Sequence, residues 1–148
     1  MKKSFIVLFF SLFAVSAFAQ DKGYIVFDQD TVPDFNAEFR KGLSMHVLRT
    51  GLGPNTYLQL ALPPDNGNRP VPGTYTLADG KAKAIKKGSG IARLMFGLRH
   101  ISTEESGTVE VSYADGLYTF IMNDIKLVDK KSNEVHHLTA RVTMFIPG

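Results

Sequence analysis

Residues 107–122 read GTVEVSYADGLYTFIM, and this stretch decides the fold. Two runs of alternating apolar and polar residues flank Asp115-Gly116, a pair typical of the two-residue type I′ turn, whose central residues both need positive φ. With that turn in place, three cross-strand pairs put all six side chains on one face: Tyr113 with Tyr118, Val111 with Phe120, and Val109 with Met122. Turn chemistry and apolar parity therefore predict the same antiparallel hairpin.

The apolar parity changes after the hairpin, because the next apolar residues beyond Met122 are Ile125 and Leu127. A β-bulge at residues 123–124 accounts for the extra residue. Residues 130–133 are polar and form the next turn. A last strand with one apolar and one polar face is then predicted. Its apolar residues are Leu138, Ala140, Val142, Met144 and Ile146, and its outward residues are Thr139, Arg141 and Thr143.

Shorter runs with a period of two precede the hairpin and are separated by polar turns. These runs cover residues 23–28, 43–48, 57–62 and 73–77. In the second run Leu48 falls on the opposite face to Val47, and a turn is predicted at residues 51–55. Residues 91–100 fit either a helical stripe or a strand, and a strand is favoured because the flanking runs are strands. About eight short strands predict an all-β fold, an antiparallel β-sandwich, with a small β-barrel as the alternative.

The beginning of the chain has the order of a secretory signal peptide. A basic head precedes an almost wholly apolar stretch at residues 5–13, and residues 17–19 form a small-x-small cleavage site. Residues 5–19 are fewer than the roughly 20 that a helix needs to cross a bilayer, so a cleaved signal is favoured over an anchor. We therefore predict a signal peptide at residues 1–19 and a single β domain at residues 20–148. The domain is expected in the periplasm or outside the cell, with no membrane anchor after cleavage.

Charge and cysteine content narrow the classes of partner and chemistry. Cleavage would remove Lys2 and Lys3 and lower the formal net charge from +3 to +1. A nearly neutral surface argues against nucleic acid as a partner. The chain contains no cysteine. Disulfides, thiolate metal ligands, a cysteine nucleophile and the lipidated cysteine of a bacterial lipoprotein are therefore excluded.

Three short motifs of turn and strand residues resemble a group of known domains. The motifs are Pro72-x-Gly-x-Tyr75-x-Leu77, Ser106-Gly107-x-Val109-x-Val111 and Asp115-Gly116-x-Tyr118-x-Phe120. Over residues 70–145 the chain is similar to a broad group of uncharacterised bacterial secreted and lipoprotein β-sandwich domains. The resemblance implies a β-sandwich in the envelope or outside the cell, and it brings no catalytic residues. This chain departs from the lipoproteins of the group because it lacks the lipidation cysteine.

Four histidines are the candidates for metal binding or acid–base chemistry: His46, His100, His136 and His137. The last two are neighbours on the final strand, so their side chains leave opposite faces and do not easily share one metal ion. A surface metal site formed by His136 with Glu134 is weighed against a strand-edge pair with no ligand role, and the second is favoured. No Gly-x-Ser-x-Gly elbow accompanies the serines.

Two acidic loops and one basic segment have structural explanations. Residues 28–34 and 65–68 are rich in oxygen-bearing side chains, but neither has the spacing of a calcium loop, and turn formation explains both. The lysines and arginines of residues 81–99 match no phosphate-binding loop. A solvated connection, or an edge strand whose charged side chains hinder edge-to-edge aggregation, explains them. We therefore predict no metal, no cofactor and no catalytic residue.

The leading hypothesis is a non-enzymatic binding or interaction domain for an unidentified envelope or extracellular ligand, a glycan or a protein. The ligand is expected at the loop of residues 63–72, because loops at the ends of a sandwich meet ligands. The candidate ligand-binding residues are Tyr57, Asp65, Asn66, Asn68 and Arg69. The alternatives are a small β-barrel that carries an apolar ligand and an envelope-polymer hydrolase that uses a histidine.

Overall fold

The computed structural model describes residues 22–32, 34–41, 46–53, 56–63, 67, 69–77, 101–102, 107–129 and 131–148. In these ranges the regular structure is β-strand with no helix, so the predicted all-β fold is confirmed. The strands are β1 (Gly23–Phe27), β2 (Asp30–Thr31), β3 (Asn36–Lys41), β4 (His46–Gly53), β5 (Thr56–Leu62), β6 (Gly73–Thr76), β7 (Ile101–Ser102), β8 (Thr108–Ala114), β9 (Leu117–Asp129) and β10 (Val135–Met144). Within the same ranges, no helix has the length and apolar character needed to cross a membrane.

The strands form two antiparallel sheets. In the described residues the larger sheet has the order β2-β1-β10-β9-β8-β6, with β7 also paired to β9, and the smaller sheet has the order β3-β4-β5. The larger sheet ends at β2 and β6 and does not close on itself, so the alternative of a closed barrel is wrong for this part of the chain. Strand β1 pairs with β10, which brings the beginning and the end of the described chain side by side.

One hydrophobic core lies between the two sheets and gives the molecule a sandwich-like architecture. The smaller sheet contributes Leu48, Leu58, Leu60 and Leu62, and the larger sheet contributes Ile25, Val109, Phe120, Met122, Ile125, Leu127, Leu138, Ala140 and Val142, among others. Phe39 of β3 stacks on Phe120 of β9 with ring centroids 6.3 Å apart, which is a direct contact between the sheets. Removing these apolar side chains from water is the main force that holds the sheets together.

The hairpin of β8 and β9 has the predicted register. Its pairs are Tyr113 with Tyr118, Val111 with Phe120, and Val109 with Met122. The turn residues Asp115 and Gly116 have φ angles of 52° and 81°, as a type I′ turn requires. Tyr118 is buried, whereas Tyr113 at the tip is 48% exposed and lies against Tyr118 with ring centroids 4.7 Å apart. The shared face is confirmed, and its tip extends beyond the core.

The predicted β-bulge is also present. The register between β9 and β10 shifts at Thr139, which faces the two residues 123–124. Asp124 adopts a φ of 45°, in the left-handed region that aspartate tolerates better than most residues. As a result Met122 and Ile125 are both buried on the core face, although they are three positions apart.

The last strand alternates as predicted over most of its length. Leu138, Ala140 and Val142 of β10 are fully buried, and Arg141 between them is exposed. Strand β10 ends at Met144, earlier than the apolar pattern indicates, and Ile146 is buried just beyond the strand. The core therefore receives one apolar side chain from the segment that follows β10.

The smaller sheet departs from the prediction. The prediction misses β3, although Ala37 and Phe39 alternate with polar residues and pack against the core. Among the side chains of β4 that the structure describes, Leu48 and Thr50 are buried. Strand β4 continues through residues 51–53 with a register shift against β5, so the turn predicted to begin at residue 51 starts too early.

Several predictions concern residues that the structure does not describe. The signal peptide at residues 1–19, the basic segment at residues 81–99 and the strand at residues 91–100 all lie outside the described ranges.

Candidate functional site

Of the five predicted ligand-binding residues, Arg69 is the one whose side chain is described. Asp65, Asn66 and Asn68 lie outside the described residues, and Tyr57 is placed only as a residue of β5 whose backbone faces Gly51 of β4. Arg69 is half-buried, and its Nε atom is buried without a hydrogen-bond partner among the described residues.

The guanidinium of Arg69 packs against the segment that follows β10. A Cβ atom built on Gly148 would lie 3.1 Å from Nη2 of Arg69. The end of the loop that contains Arg69 is fixed by Tyr75, which is buried in β6 and donates its hydroxyl proton to the carbonyl oxygen of Val71 at 2.5 Å. A buried tyrosine that bonds the backbone a few residues upstream is a recurrent device of β-sandwich corners. The described part of this loop is therefore held against the rest of the molecule at Arg69 and at Val71.

The larger sheet presents a second surface on the side away from the smaller sheet, which we call the outer face. Its residues alternate along each strand with the core residues, because successive side chains of a strand point to opposite faces. One row, which we call the central row, crosses five neighbouring strands: Tyr24 of β1, Arg141 of β10, Ile121 of β9, Glu110 of β8 and Thr74 of β6. A parallel row contains Thr143, Thr119 and Ser112.

Three side chains of the central row are available to a ligand. Tyr24 is 44% exposed, and Arg141 and Glu110 are also exposed. The described residues provide no hydrogen bond or ion pair to the side chains of Tyr24, Arg141 or Glu110. Because Tyr24 and Arg141 are direct cross-strand partners, an aromatic ring and a guanidinium lie next to each other on an open surface.

A histidine–aspartate pair lies further along the same face. Nδ1 of His137 is 2.7 Å from Oδ1 of Asp124, and the side chains are 52% and 76% exposed. The bulge positions this carboxylate, because Asp124 is the bulge residue with positive φ and its backbone N–H donates to Oγ1 of Thr139 at 3.1 Å. The pair therefore holds the bulge of β9 against β10.

A second histidine–aspartate pair ties the β1–β2 turn to β10. Nδ1 of His136 is 2.9 Å from Oδ2 of Asp28, and Oδ1 of Asp28 accepts the backbone N–H of His137 at 2.8 Å. The backbone N–H of Asp28 in turn donates to the carbonyl oxygen of His137 at 2.7 Å. Phe27 stacks on the imidazole of His136 with ring centroids 5.1 Å apart. Asp28 has a φ of 57°, which this set of contacts holds in place.

The contacts around Asp28 lower the pKa of its carboxyl group. Partial burial raises the pKa of its carboxyl group, but the hydrogen bonds with His136 and with the backbone of His137 outweigh burial and hold the pKa below its ordinary value of 3.8. The carboxylate, ionised at neutral pH, accepts the Nδ1 proton of His136. In the neutral ring the Nε2 atom then carries the lone pair, and this atom is buried without a partner among the described residues.

Each of the two neighbouring histidines has its own carboxylate partner, Asp28 for His136 and Asp124 for His137. Glu134, the acidic neighbour considered for a metal site, accepts a hydrogen bond from Oγ of Ser132 at 3.1 Å instead of approaching His136. No group of three or more histidine, aspartate and glutamate side chains in the described residues has the geometry to hold a metal ion. The side chain of His46 and the whole of His100 lie outside the description.

The fold and this surface define a class: a two-sheet antiparallel β protein with an open, polar outer face. Comparison of the chain with models of protein families, with curated proteins and with solved structures finds no match in any of the three.

The sequence predicts the outward residues of β10 but not their neighbour on β1. The alternation of the last strand places Thr139, Arg141 and Thr143 outward, and the structure has Arg141 exposed there. It misses the partner Tyr24, because the run that forms β1 is apolar at both parities and its pairing with β10 joins distant parts of the chain. The signal that could have placed Tyr24 outward is its phenol hydroxyl, because the other residues of this run, Ile25, Val26 and Phe27, have no polar group in their side chains.

Proposed function

We propose that this protein is an exported, non-enzymatic binding domain that meets its ligand on the outer face of the larger sheet. The observation that carries the proposal is the exposed pair of Tyr24 and Arg141, whose side chains have no partner among the described residues. An exposed aromatic ring offers a ligand apolar contact area, and a guanidinium beside it offers hydrogen-bond donors.

Export is supported by the sequence of residues 1–19, whose basic head, apolar stretch and small-x-small site are those of a cleaved signal. The absence of cysteine supports a free domain over a lipid-anchored one. The location proposed for the ligand is accordingly the bacterial envelope or the extracellular space.

A non-enzymatic role is supported by the structural contacts that the two described histidine–aspartate pairs make. His136 and Asp28 join a turn to β10, and His137 and Asp124 join a bulge to the same strand. In both pairs the carboxylate contacts Nδ1 and fixes the orientation of the ring. Their contacts serve the alignment of the strands, and binding is left to the open surface beside them.

The test is chemical-shift mapping of the ¹⁵N-labelled processed protein, residues 20–148, during titration with a solubilised bacterial envelope extract. The proposal expects saturable shifts concentrated at outer-face residues of β1, β8, β9 and β10, with the smaller sheet unaffected. Shifts confined to residues 63–72 would move the site to the loop and contradict the outer face. No saturable shift at any residue would contradict the binding function itself.

A further inference from the structure

We propose that the occupant of the outer face is a neutral polysaccharide chain. This inference rests on the proposed function, because it names the ligand class of the same surface. Shape, hydrogen-bonding capacity and charge each bear on it.

The outer face has the dimensions of an extended polymer site. Neighbouring strands lie about 4.8 Å apart, so the row from Tyr24 to Thr74, which spans five strands, is roughly 19 Å long. A sheet face is broad and shallow, and an exposed row on it is accessible from both ends. A chain of several sugar units matches that shape better than a small compact molecule, which is normally held in a concave pocket.

The side chains of the outer face are of the kinds that contact sugars. Thr143 and Thr119 lie side by side, with their hydroxyl oxygens 3.2 Å apart, and Ser112 continues the row. Hydroxyl groups both donate and accept hydrogen bonds, as sugar hydroxyls do. The ring of Tyr24 offers an apolar surface with a polar tip at the end of the neighbouring row.

The charges of the outer face nearly balance, which favours an uncharged ligand. The cations Arg141 and Lys126, with exposed Lys22 opposite Thr143, face the carboxylates Glu110 and Asp124, and Asp124 is itself paired with His137. A surface that binds a polyanion needs an extended cluster of positive charge, and three cations offset by two carboxylates do not form one among the described residues. A neutral chain is therefore complementary to it.

The composition of the outer face also disfavours a protein partner. The apolar member of the central row, Ile121, is only partly exposed, and its row neighbours Arg141 and Glu110 are charged. The buried centre of a protein–protein interface is depleted in charged side chains and rich in contiguous apolar area. The exposed rings here, Tyr24 and, just beyond β10, Phe145, are separated by polar side chains such as Thr143. Separate rings among polar side chains are better matched to the C–H faces and hydroxyls of sugars than to one continuous apolar interface.

Affinity gel electrophoresis of the processed protein tests the ligand class. The gels contain neutral polysaccharides in turn (soluble starch, galactomannan, xyloglucan and laminarin), and the comparison gels contain the anionic polymers alginate and heparin. We expect retardation in at least one neutral gel and none in the anionic gels. Tyr24→Ala should weaken that retardation about tenfold in apparent affinity, as expected for loss of one aromatic contact, and Tyr24→Phe should retain most of it because the ring remains.

Tyr113→Ala is the matched control. Tyr113 is 48% exposed, close to the 44% of Tyr24, but it lies at the hairpin tip on the opposite face of the sheet. It should leave retardation unchanged. Equal losses for both alanine variants, or retardation by the anionic polymers alone, would overturn the proposal. Migration unaffected by every neutral polysaccharide would also overturn it, and outer-face chemical shifts with envelope extract would then keep the binding function while rejecting the glycan.

Discussion

Gly23 of β1 lies tightly against the backbone of β10. A Cβ atom at this position would lie 1.8 Å from the carbonyl oxygen of Arg141, and its φ of +95° is one that L side chains rarely adopt. We expect Gly23→Ala to lower the free energy of unfolding by about 1–3 kcal/mol, because the backbone of β1 must move away from β10. Urea unfolding followed by circular dichroism measures this change.

Gly51 provides the matched control for Gly23. A Cβ atom built there meets nothing within 4 Å. Gly51→Ala should therefore change the free energy of unfolding by less than about 0.5 kcal/mol. Similar losses for the two variants would show that the contact with Arg141 is not the cause.

Thr50 is a polar side chain inside the core. It is fully buried, and its Oγ1 has no hydrogen-bond partner among the described residues. Thr50→Val keeps the shape and removes the cost of burying an unpaired hydroxyl, so we expect the free energy of unfolding to rise by about 1 kcal/mol. Thr119→Val is the comparison, because its hydroxyl is bonded to that of Thr143 and its loss should give no gain. A destabilised Thr50→Val variant would contradict this account of the core.

Among elements, the β1–β2 turn depends on one carboxylate. The pKa of Asp28 is lower in the folded protein than its ordinary value of 3.8, so its stabilising contribution is complete above that value and is lost as the pH falls through the folded pKa. We expect Asp28→Asn to destabilise the protein at neutral pH and to remove part of the loss of stability between about pH 5 and pH 2. Urea midpoints measured across this range give the result.

Asp30→Asn is the control for that pH dependence. The Asp30 side chain has no hydrogen bond among the described residues, although it lies two positions from Asp28. This variant should keep the acid-induced loss of the unsubstituted protein. An Asp28→Asn variant with the same acid profile as Asp30→Asn would contradict the role assigned to the turn.

The elements that could be predicted from sequence are those set by local chemistry. The β8–β9 hairpin follows from Asp115-Gly116, and the bulge follows from the parity change after Met122. Strand β3 has the same kind of alternation but only two partly buried apolar residues, Ala37 and Phe39, and no turn signal of comparable strength. Strand β3 joins the smaller sheet by pairing with β4, and a local sequence pattern does not reveal that pairing.

At the scale of the whole molecule, the outer face depends on the pairing of β1 with β10, two strands from opposite ends of the described chain. This pairing puts Tyr24 beside Arg141, residues that no spacing rule connects. The sandwich class could be inferred from many short strands and polar turns, whereas the candidate surface depends on which strands are neighbours. The ligand loop predicted at residues 63–72 follows from its polar composition and its expected place at an end of the sandwich, and among the described residues its Arg69 packs against Gly148.

The absence of cysteine allows the most direct test of the outer face as the ligand surface. Ser112→Cys places a single thiol on the exposed part of this face, and Asn36→Cys places one on exposed β3 of the smaller sheet. Each variant is labelled with a maleimide-linked polyethylene glycol, and co-sedimentation with bacterial envelope fragments is measured. The account predicts that the label at Ser112→Cys abolishes co-sedimentation while the label at Asn36→Cys leaves it unchanged. Co-sedimentation that survives labelling at Ser112→Cys, or is lost only on labelling at Asn36→Cys, would contradict it.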